Sequence, residues 1–183
     1  MASNPLLLTD FRRRGIPHAS YWAIYVWSFQ YVFTSEVPHD LDPSAVLRSL
    51  LCHPAYAFSF TSPYPERPRL DTRGPFVLSQ LSVESFVPTT KETLWAAVDE
   101  FIHDPNDEAT RADLGIDAQT QATIDGTNEL FQLRPRAQLE LPTAPFGDDE
   151  LFHASAFTIS EYAEFVALNQ AERSVLVLAM IID

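Results

Sequence analysis

Five histidines are the side chains best suited to acid–base chemistry or to metal binding, because an imidazole titrates near neutral pH. They are His18, His39, His53, His103 and His153. No two of them stand at the HExxH or HxH spacing that would bring two imidazoles to one metal ion. The sequence therefore predicts no metal site and no cofactor.

The single cysteine, Cys52, could act as a nucleophile only if a histidine and an aspartate reached it from elsewhere in the fold. His53 follows it directly, and adjacent side chains at a helix end rarely face each other. The sequence favours a buried, structural Cys52. A lone cysteine also excludes an internal disulfide and is typical of a reducing compartment, so we expect a cytoplasmic protein.

Motifs that bind nucleotide phosphates or hydrolyse esters are absent from the sequence. The five glycines never form GxGxxG or GxxxxGK spacing, and GxSxG does not occur. No catalytic residue is therefore assigned. A small enzyme with an aromatic-lined pocket and a His/Asp acid–base pair stays an alternative. Whether the chain is an enzyme is left open, and the missing motifs favour a protein that is not one.

The formal charge of the chain is −13, and it is unevenly distributed. Residues 1–90 hold seven acidic and seven basic side chains, whereas residues 91–150 hold fourteen acidic and four basic ones, a net charge of −10. A field of this sign repels phosphate backbones and anionic membrane surfaces. We therefore expect neither nucleic acid nor membrane as a partner, and a basic protein instead.

The carboxylates that would contact such a partner lie in three short runs. They are Asp99, Glu100, Asp104, Asp107, Glu108, Asp148, Asp149 and Glu150. The middle run resembles a cation-binding loop in composition, but it lacks the turn glycine and the final glutamate that a calcium hand requires. Apolar side chains flank the last run, and acidic groups beside such anchors favour fast, steered association with a basic surface.

The elements that must position these groups are organised around an aromatic stretch, residues 21–34, in which eleven of fourteen side chains are apolar or aromatic. Its periodicity fits both a strand and a helix. Aromatic and β-branched residues favour the strand, with a bulge near Ser28 because a strand of this length is unusual. A second apolar stretch, residues 174–182, predicts a buried central strand.

Capping and turn residues mark the remaining elements. Helices are predicted at residues 44–51 behind an Asp-Pro start, at 90–103 behind a Thr89–Glu92 capping box, once or twice within 104–128, and after Ser160. Further strands are predicted at residues 55–61, 76–87, 130–141 and 151–158.

This order of elements predicts an α+β fold, with a mixed, largely antiparallel sheet of about five or six strands and about three or four helices packed on it. Residues 1–183 are expected to form a single globular domain, with residues 1–17 as a partly ordered N-terminal arm. No apolar run reaches the length that spans a bilayer.

Three functions follow as hypotheses. The preferred one is an acidic protein-binding module, such as an immunity or inhibitor protein that neutralises a basic partner, for example a toxin. The alternatives are the small enzyme described above and a structural or assembly subunit whose aromatic stretch packs in a homo-oligomer.

Overall fold

Strands and short helices follow one another in the computed structural model, which describes residues 4–16, 24–34, 42–56, 72–103, 110–134 and 161–182. The strands are β1 (Leu6–Ile16), β2 (Ile24–Phe33), β3 (Thr72–Arg73), β4 (Phe76–Val77), β5 (Phe86–Pro88), β6 (Glu129–Leu133), β7 (Glu161–Asn169) and β8 (Ser174–Ile182). The helices are α1 (Pro43–Leu51), α2 (Lys91–Ile102) and α3 (Ala118–Asp125). None of these described helices is long and apolar enough to cross a membrane.

One six-stranded sheet has the order β1-β2-β8-β7-β6-β5, and β3 and β4 form a separate two-stranded ribbon. All neighbouring strands run antiparallel. The predicted α+β class is therefore confirmed, with a six-stranded sheet and three helices among the described residues. Within the described residues the sheet is antiparallel throughout rather than mixed. The expectation of a single domain stays a prediction.

The aromatic stretch forms β2, which confirms the strand interpretation for residues 24–33. Trp27 and Phe29 point to one face of the sheet, where they share a core with α1, while Ile24 and Val26 point to the other face and pack with α2 and α3. The sheet is thus buried on both sides at its centre. This explains why the stretch reads as a nearly continuous apolar run.

Residues 6–16, which lie within the partly ordered arm expected over residues 1–17, form the edge strand β1. Its pairing with β2 shifts between Leu8 and Asp10. The bulge predicted near Ser28 is wrong, because β2 pairs with β8 without interruption and the extra residue lies in β1. An extra residue in one strand is how such a shift is accommodated.

Consecutive arginines made β1 difficult to recognise, but each of the first two has a partner on its own face of the sheet. Arg12 forms ion pairs with Asp10 (2.7 Å) and with Asp117 (2.6 Å). Arg13 lies on the opposite face, with its guanidinium 5.0 Å from the centre of the Tyr25 ring. The alternation of a strand separates the two charges, so that a basic run can pair as an edge strand.

The helix predicted after Ser160 is wrong, because these residues form the strand β7. Residues 163–169 are all buried, because β7 pairs with β6 and β8 and its two faces belong to the cores on either side of the sheet. A strand covered on both faces loses the alternation that identifies a half-buried strand. Glu161 and Glu164 also favoured a helix, since acidic residues near a helix N-terminus interact favourably with the helix dipole.

The other helix predictions are confirmed. Residues 44–51 lie in α1 behind Asp42, whose carboxylate accepts a hydrogen bond from the Ser44 amide (3.2 Å), and α3 is a short helix within residues 104–128. Helix α2 begins one residue later than predicted. Its N-cap is Thr90, whose hydroxyl accepts a hydrogen bond from the Thr93 amide (3.3 Å).

The remaining strand predictions have mixed outcomes. Residues 174–182 form the central strand β8 as predicted. The strand predicted at residues 76–87 is interrupted, because 3₁₀ turns at Leu78–Gln80 and Val83–Ser85 separate β4 from β5. The described part of the strand predicted at 130–141 is β6. Residues 57–61 and 151–158 lie outside the described part of the chain.

Asp117 joins α3 to β1, and its replacement should be measurable. Its carboxylate accepts a hydrogen bond from the Thr120 amide (2.8 Å) as the N-cap of α3, besides the ion pair with Arg12. We expect Asp117→Ala to lower the free energy of unfolding by about 1 kcal/mol near neutral pH. Asp117→Asn should lose less, because asparagine also caps helices.

The same carboxylate gives the stability a pH dependence. Bonds from the Thr120 amide and hydroxyl, followed by the one from Arg12, hold the pKa of Asp117 below its usual value. Its stabilising effect is therefore present above the unfolded-state pKa and is lost as the pH falls through the folded-state pKa. Urea unfolding of wild type and Asp117→Asn at a series of pH values should show a smaller loss in acid for the variant. Parallel curves would contradict this assignment.

Candidate functional site

Two of the eight carboxylates predicted to bind a partner fall within the described residues. Asp99 and Glu100 lie in the second half of α2 and are exposed. Six others lie outside the described part of the chain, and their role stays a prediction: Asp104, Asp107, Glu108, Asp148, Asp149 and Glu150.

Helix α2 has one apolar and one acidic side. Leu94, Val98 and Phe101 are buried against the sheet. At helical spacing the opposite side carries Glu92, Asp99 and Glu100, all of them exposed. We call these three carboxylates the acidic face of α2. Since they lie on one rigid helix, their charges hold a fixed spacing.

The only basic residue in α2 lies at its start and is directed elsewhere. The ammonium of Lys91 donates a hydrogen bond to the backbone carbonyl of Asp125, at the end of α3. Among the described residues, no ion pair involves Glu92 or Glu100. Hydrogen bonds from its own backbone amide and from the Thr90 hydroxyl lower the pKa of Glu92, and both carboxylates are exposed to an external cation.

Asp99 is already paired within the chain. Two nitrogens of Arg111 donate to its carboxylate oxygens at 2.8 and 2.7 Å, and the same guanidinium lies 4.5 Å from the centre of the Trp95 ring. The hydrogen bonds from Arg111 hold the pKa of Asp99 below its usual value. The charge of Asp99, one of the predicted contact residues, is thus neutralised by an arginine from the same acidic segment, residues 91–150.

The described histidines do not converge on a common site. The His53 ring meets the Tyr31 ring edge to face, with centroids 5.0 Å apart, and burial lowers the pKa of His53. His103 is exposed at the end of α2, on the other side of the sheet. Within the described residues, no three histidine, cysteine, aspartate or glutamate side chains are grouped as metal ligands would be.

The prediction of a buried Cys52 is wrong, because this residue is exposed at the C-terminal end of α1. The helix places its apolar side, Val46, Leu47 and Leu50, against the sheet. The residue that follows the last turn no longer belongs to that side, so the thiol faces solvent.

A buried polar cluster that the sequence did not predict lies on the α1 side of the sheet. Arg73 and Glu164 are both 0% exposed, and the guanidinium donates to the carboxylate at 2.8 Å. The Tyr162 hydroxyl donates to the same carboxylate oxygen as Arg73 does, and the Tyr56 hydroxyl donates to the other oxygen (2.5 Å). Arg73 also donates to the backbone carbonyl of Tyr56 (3.2 Å). We call these four residues the Arg73–Glu164 cluster.

Aromatic rings and a glycine hold Arg73 in position. Its guanidinium lies 4.1 Å from the centre of the Tyr56 ring and 4.7 Å from that of Phe29. Gly74 follows in the left-handed region, at φ +54°. A Cβ atom at this position would overlap the Tyr162 ring. Glycine is therefore required here both for the backbone angle and for the space.

The pKa values of Arg73 and of both tyrosines in this cluster are raised. Burial, and then the Glu164 charge, raise the pKa of Tyr56 and Tyr162 well above the usual value. Burial alone would lower the pKa of Arg73, but the Glu164 charge outweighs it and raises that pKa. The arginine and both tyrosines thus keep their protons at neutral pH. The hydrogen bonds of the cluster connect the β3–β4 ribbon and the segment after α1 to the central strand β7.

Sequence reasoning missed the cluster because its charged partners stand 91 positions apart. Two local signals were present. Gly74 directly follows Arg73 in a proline-rich segment, and Glu164 is the one charge between apolar residues in Tyr162–Leu168. An isolated carboxylate within an apolar run indicates a buried partner if the segment is a strand.

No protein-family model, curated protein or solved structure significantly matches this chain. The fold and the two sites therefore define it as an antiparallel α+β protein with a buried ion pair on one side of the sheet and an acidic helix on the other.

Proposed function

We propose that this chain is an acidic protein-binding module that engages a basic protein partner through the acidic face of α2. The observation that carries the proposal is the exposure of Glu92 and Glu100 on one helix that has no basic side chain on the same side. The net charge of −13 adds a long-range field of the same sign. Such a field increases the rate of encounter with a basic surface.

Trp95 supplies an apolar contact beside the carboxylates. Its side chain is half-buried at the edge of the acidic face and already lies against the guanidinium of Arg111. Tryptophan next to charged groups is a common composition for the centre of a protein interface. Glu92 lies three residues before Trp95 and thus on the same side of the helix, so a basic side chain of the partner can contact both. An inhibitor or immunity protein that neutralises a basic toxin is one role that needs these properties, in the cytoplasm as predicted above.

The first test is capture of a partner by the immobilised chain from cells that express it. We expect a basic protein to be retained at low salt and released as the ionic strength rises, because exposed charges are screened beyond about 10 Å at 0.1 M salt. The dissociation constant of the recovered protein is then measured for wild type and for Glu92→Gln/Glu100→Gln. The double variant should bind about tenfold more weakly, mainly through slower association.

A matched control distinguishes the effect of the acidic face of α2 on binding from the effect of the overall net charge. Glu172 is exposed in the turn between β7 and β8, so Glu172→Gln removes a charge outside α2. We expect this control to bind nearly as wild type does. Equal affinities for the double variant and the control, or binding that is insensitive to salt, would contradict the proposal.

A further inference from the structure

The outer edge of β1 is a second surface suited to binding. β1 is the last strand on its side of the sheet, and no described strand pairs with its outer edge. Leu7 and Phe11, exposed by 57% and 41%, are the only large apolar side chains classed as exposed among the described residues. An edge strand with exposed apolar side chains is a template for pairing with another strand.

The charges along β1 distinguish between the ways in which two copies of the strand could pair. When two antiparallel strands are related by a twofold axis normal to the sheet, the residue on the axis faces its own copy. An axis at Asp10, Arg12 or Arg13 places like charges directly opposite each other, which is destabilising. An axis at Phe11 instead places Asp10 of each copy opposite Arg12 of the other.

The side chains concerned are exposed and share the correct face. Asp10 and Arg12 are exposed by 42% and 39%, and their ion pair of 2.7 Å shows that they lie on the same side of the strand. In the paired arrangement Asp10 would gain a second opposite charge and Arg12 a third, each at about 5 Å between Cβ atoms. On the other face, the Phe11 ring rests on Phe29, with centroids 4.9 Å apart, and would be adjacent to its own copy.

We propose that the outer edge of β1 is a homodimer interface, in which two copies of this chain pair antiparallel about Phe11 and join their sheets. The occupant is a second copy because the sequence Asp10-Phe11-Arg12 is complementary to itself in this register. The net charge of −13 on each copy opposes association only weakly at physiological salt, since it is screened over about 8 Å. The interface is separate from the acidic face of α2.

Sedimentation measurements over a range of concentrations test this proposal with two single variants. Wild type should show a mass that rises from monomer to dimer. Asp10→Arg and Arg12→Asp each place like charges opposite one another, so each alone should have a dissociation constant at least about tenfold higher. An equimolar mixture of the two should recover the dimer, because the arginines of one variant then face the aspartates of the other. Circular dichroism establishes that both variants are folded.

A second pair of variants covers the case in which either of these fails to fold. Phe11→Asp and Phe11→Lys place like charges on the axis when alone and opposite charges when mixed, so only the mixture should dimerise. A wild-type chain that stays monomeric at every concentration would overturn the proposal. So would a dimer that the charge variants leave unchanged, or a monomer whose β1 amides are protected from exchange because another segment covers the edge.

Discussion

Replacing Arg73 by methionine should lower the free energy of unfolding by about 3–5 kcal/mol, the largest effect expected of any single exchange in this chain. Both charges of the Arg73–Glu164 pair are fully buried. Methionine keeps the apolar length of the side chain but leaves the Glu164 carboxylate without its cation, and desolvation of an unpaired charge is costly. Chemical denaturation followed by fluorescence measures the change directly.

A double-mutant cycle separates the charge pair from simple loss of packing. Glu164→Gln should also destabilise, because it leaves Arg73 charged and buried without a counter-charge. The double variant Arg73→Met/Glu164→Gln removes both charges, so it should be more stable than the sum of the single effects predicts, by at least about 1 kcal/mol. Additive effects would show that the two charges do not act as a pair.

An exposed arginine provides the control for this cycle. Arg13 is exposed and lies over the Tyr25 ring. We expect Arg13→Met to cost less than about 1 kcal/mol, since an exposed cation–π contact is weak. If Arg13→Met and Arg73→Met were equally destabilising, burial of the ion pair would not be the cause of the larger effect.

Gly74→Ala should be the second most damaging exchange, with a loss of about 2–4 kcal/mol. Alanine at φ +54° is strained, and its Cβ would overlap the Tyr162 ring. That ring cannot move away freely, because its hydroxyl donates to Glu164. The substitution therefore combines backbone strain with displacement of a member of the Arg73–Glu164 cluster.

Gly115→Ala is the matched control for Gly74→Ala. Gly115 also has a positive φ, of +77°, but a Cβ there would meet the flexible side chain of Arg14 at 2.6 Å. We expect a smaller loss, of about 1–2 kcal/mol, that reflects mainly the backbone angle. Equal losses at the two positions would show that crowding against Tyr162 contributes nothing.

The sequence allowed correct prediction of those elements whose signal is local. Helix α1 follows from Asp42 and Pro43 at its start, and β8 follows from an apolar run too short for a membrane span. The strand form of β2 followed from its aromatic and β-branched residues. In each case the deciding information lies within about ten residues, which is the range over which capping and periodicity act.

The elements predicted wrongly are those whose form depends on distant partners. β1 pairs as a strand although it contains three consecutive arginines, because Asp117 and aromatic rings of β2 receive the charges. β7 is a strand because β6 and β8 pair with its two edges, and the hydrophobic cores on either side of the sheet bury both of its faces. Local propensity cannot report such contacts, and tertiary packing overrides it.

The candidate sites also contain some features that the sequence could predict and others that depend on distant contacts. The acidic side of α2 could be anticipated from composition, and Asp99 and Glu100 are exposed there. The pairing of Asp99 with Arg111 could not, because it depends on how the segment after α2 folds back. The Arg73–Glu164 cluster was not predicted either, since it consists of residues from a ribbon, a turn and a central strand that only the folded chain brings together.

Hydrogen exchange of the chain alone and bound to its captured basic partner identifies the surface that the partner covers. We expect amides of α2, residues 91–102, to become more protected on binding, together with those around Arg111. Amides of the Arg73–Glu164 cluster, on the other side of the sheet, should be unchanged. Protection confined to β1 or to the α1 side, with α2 unaffected, would contradict the proposed role of the acidic face.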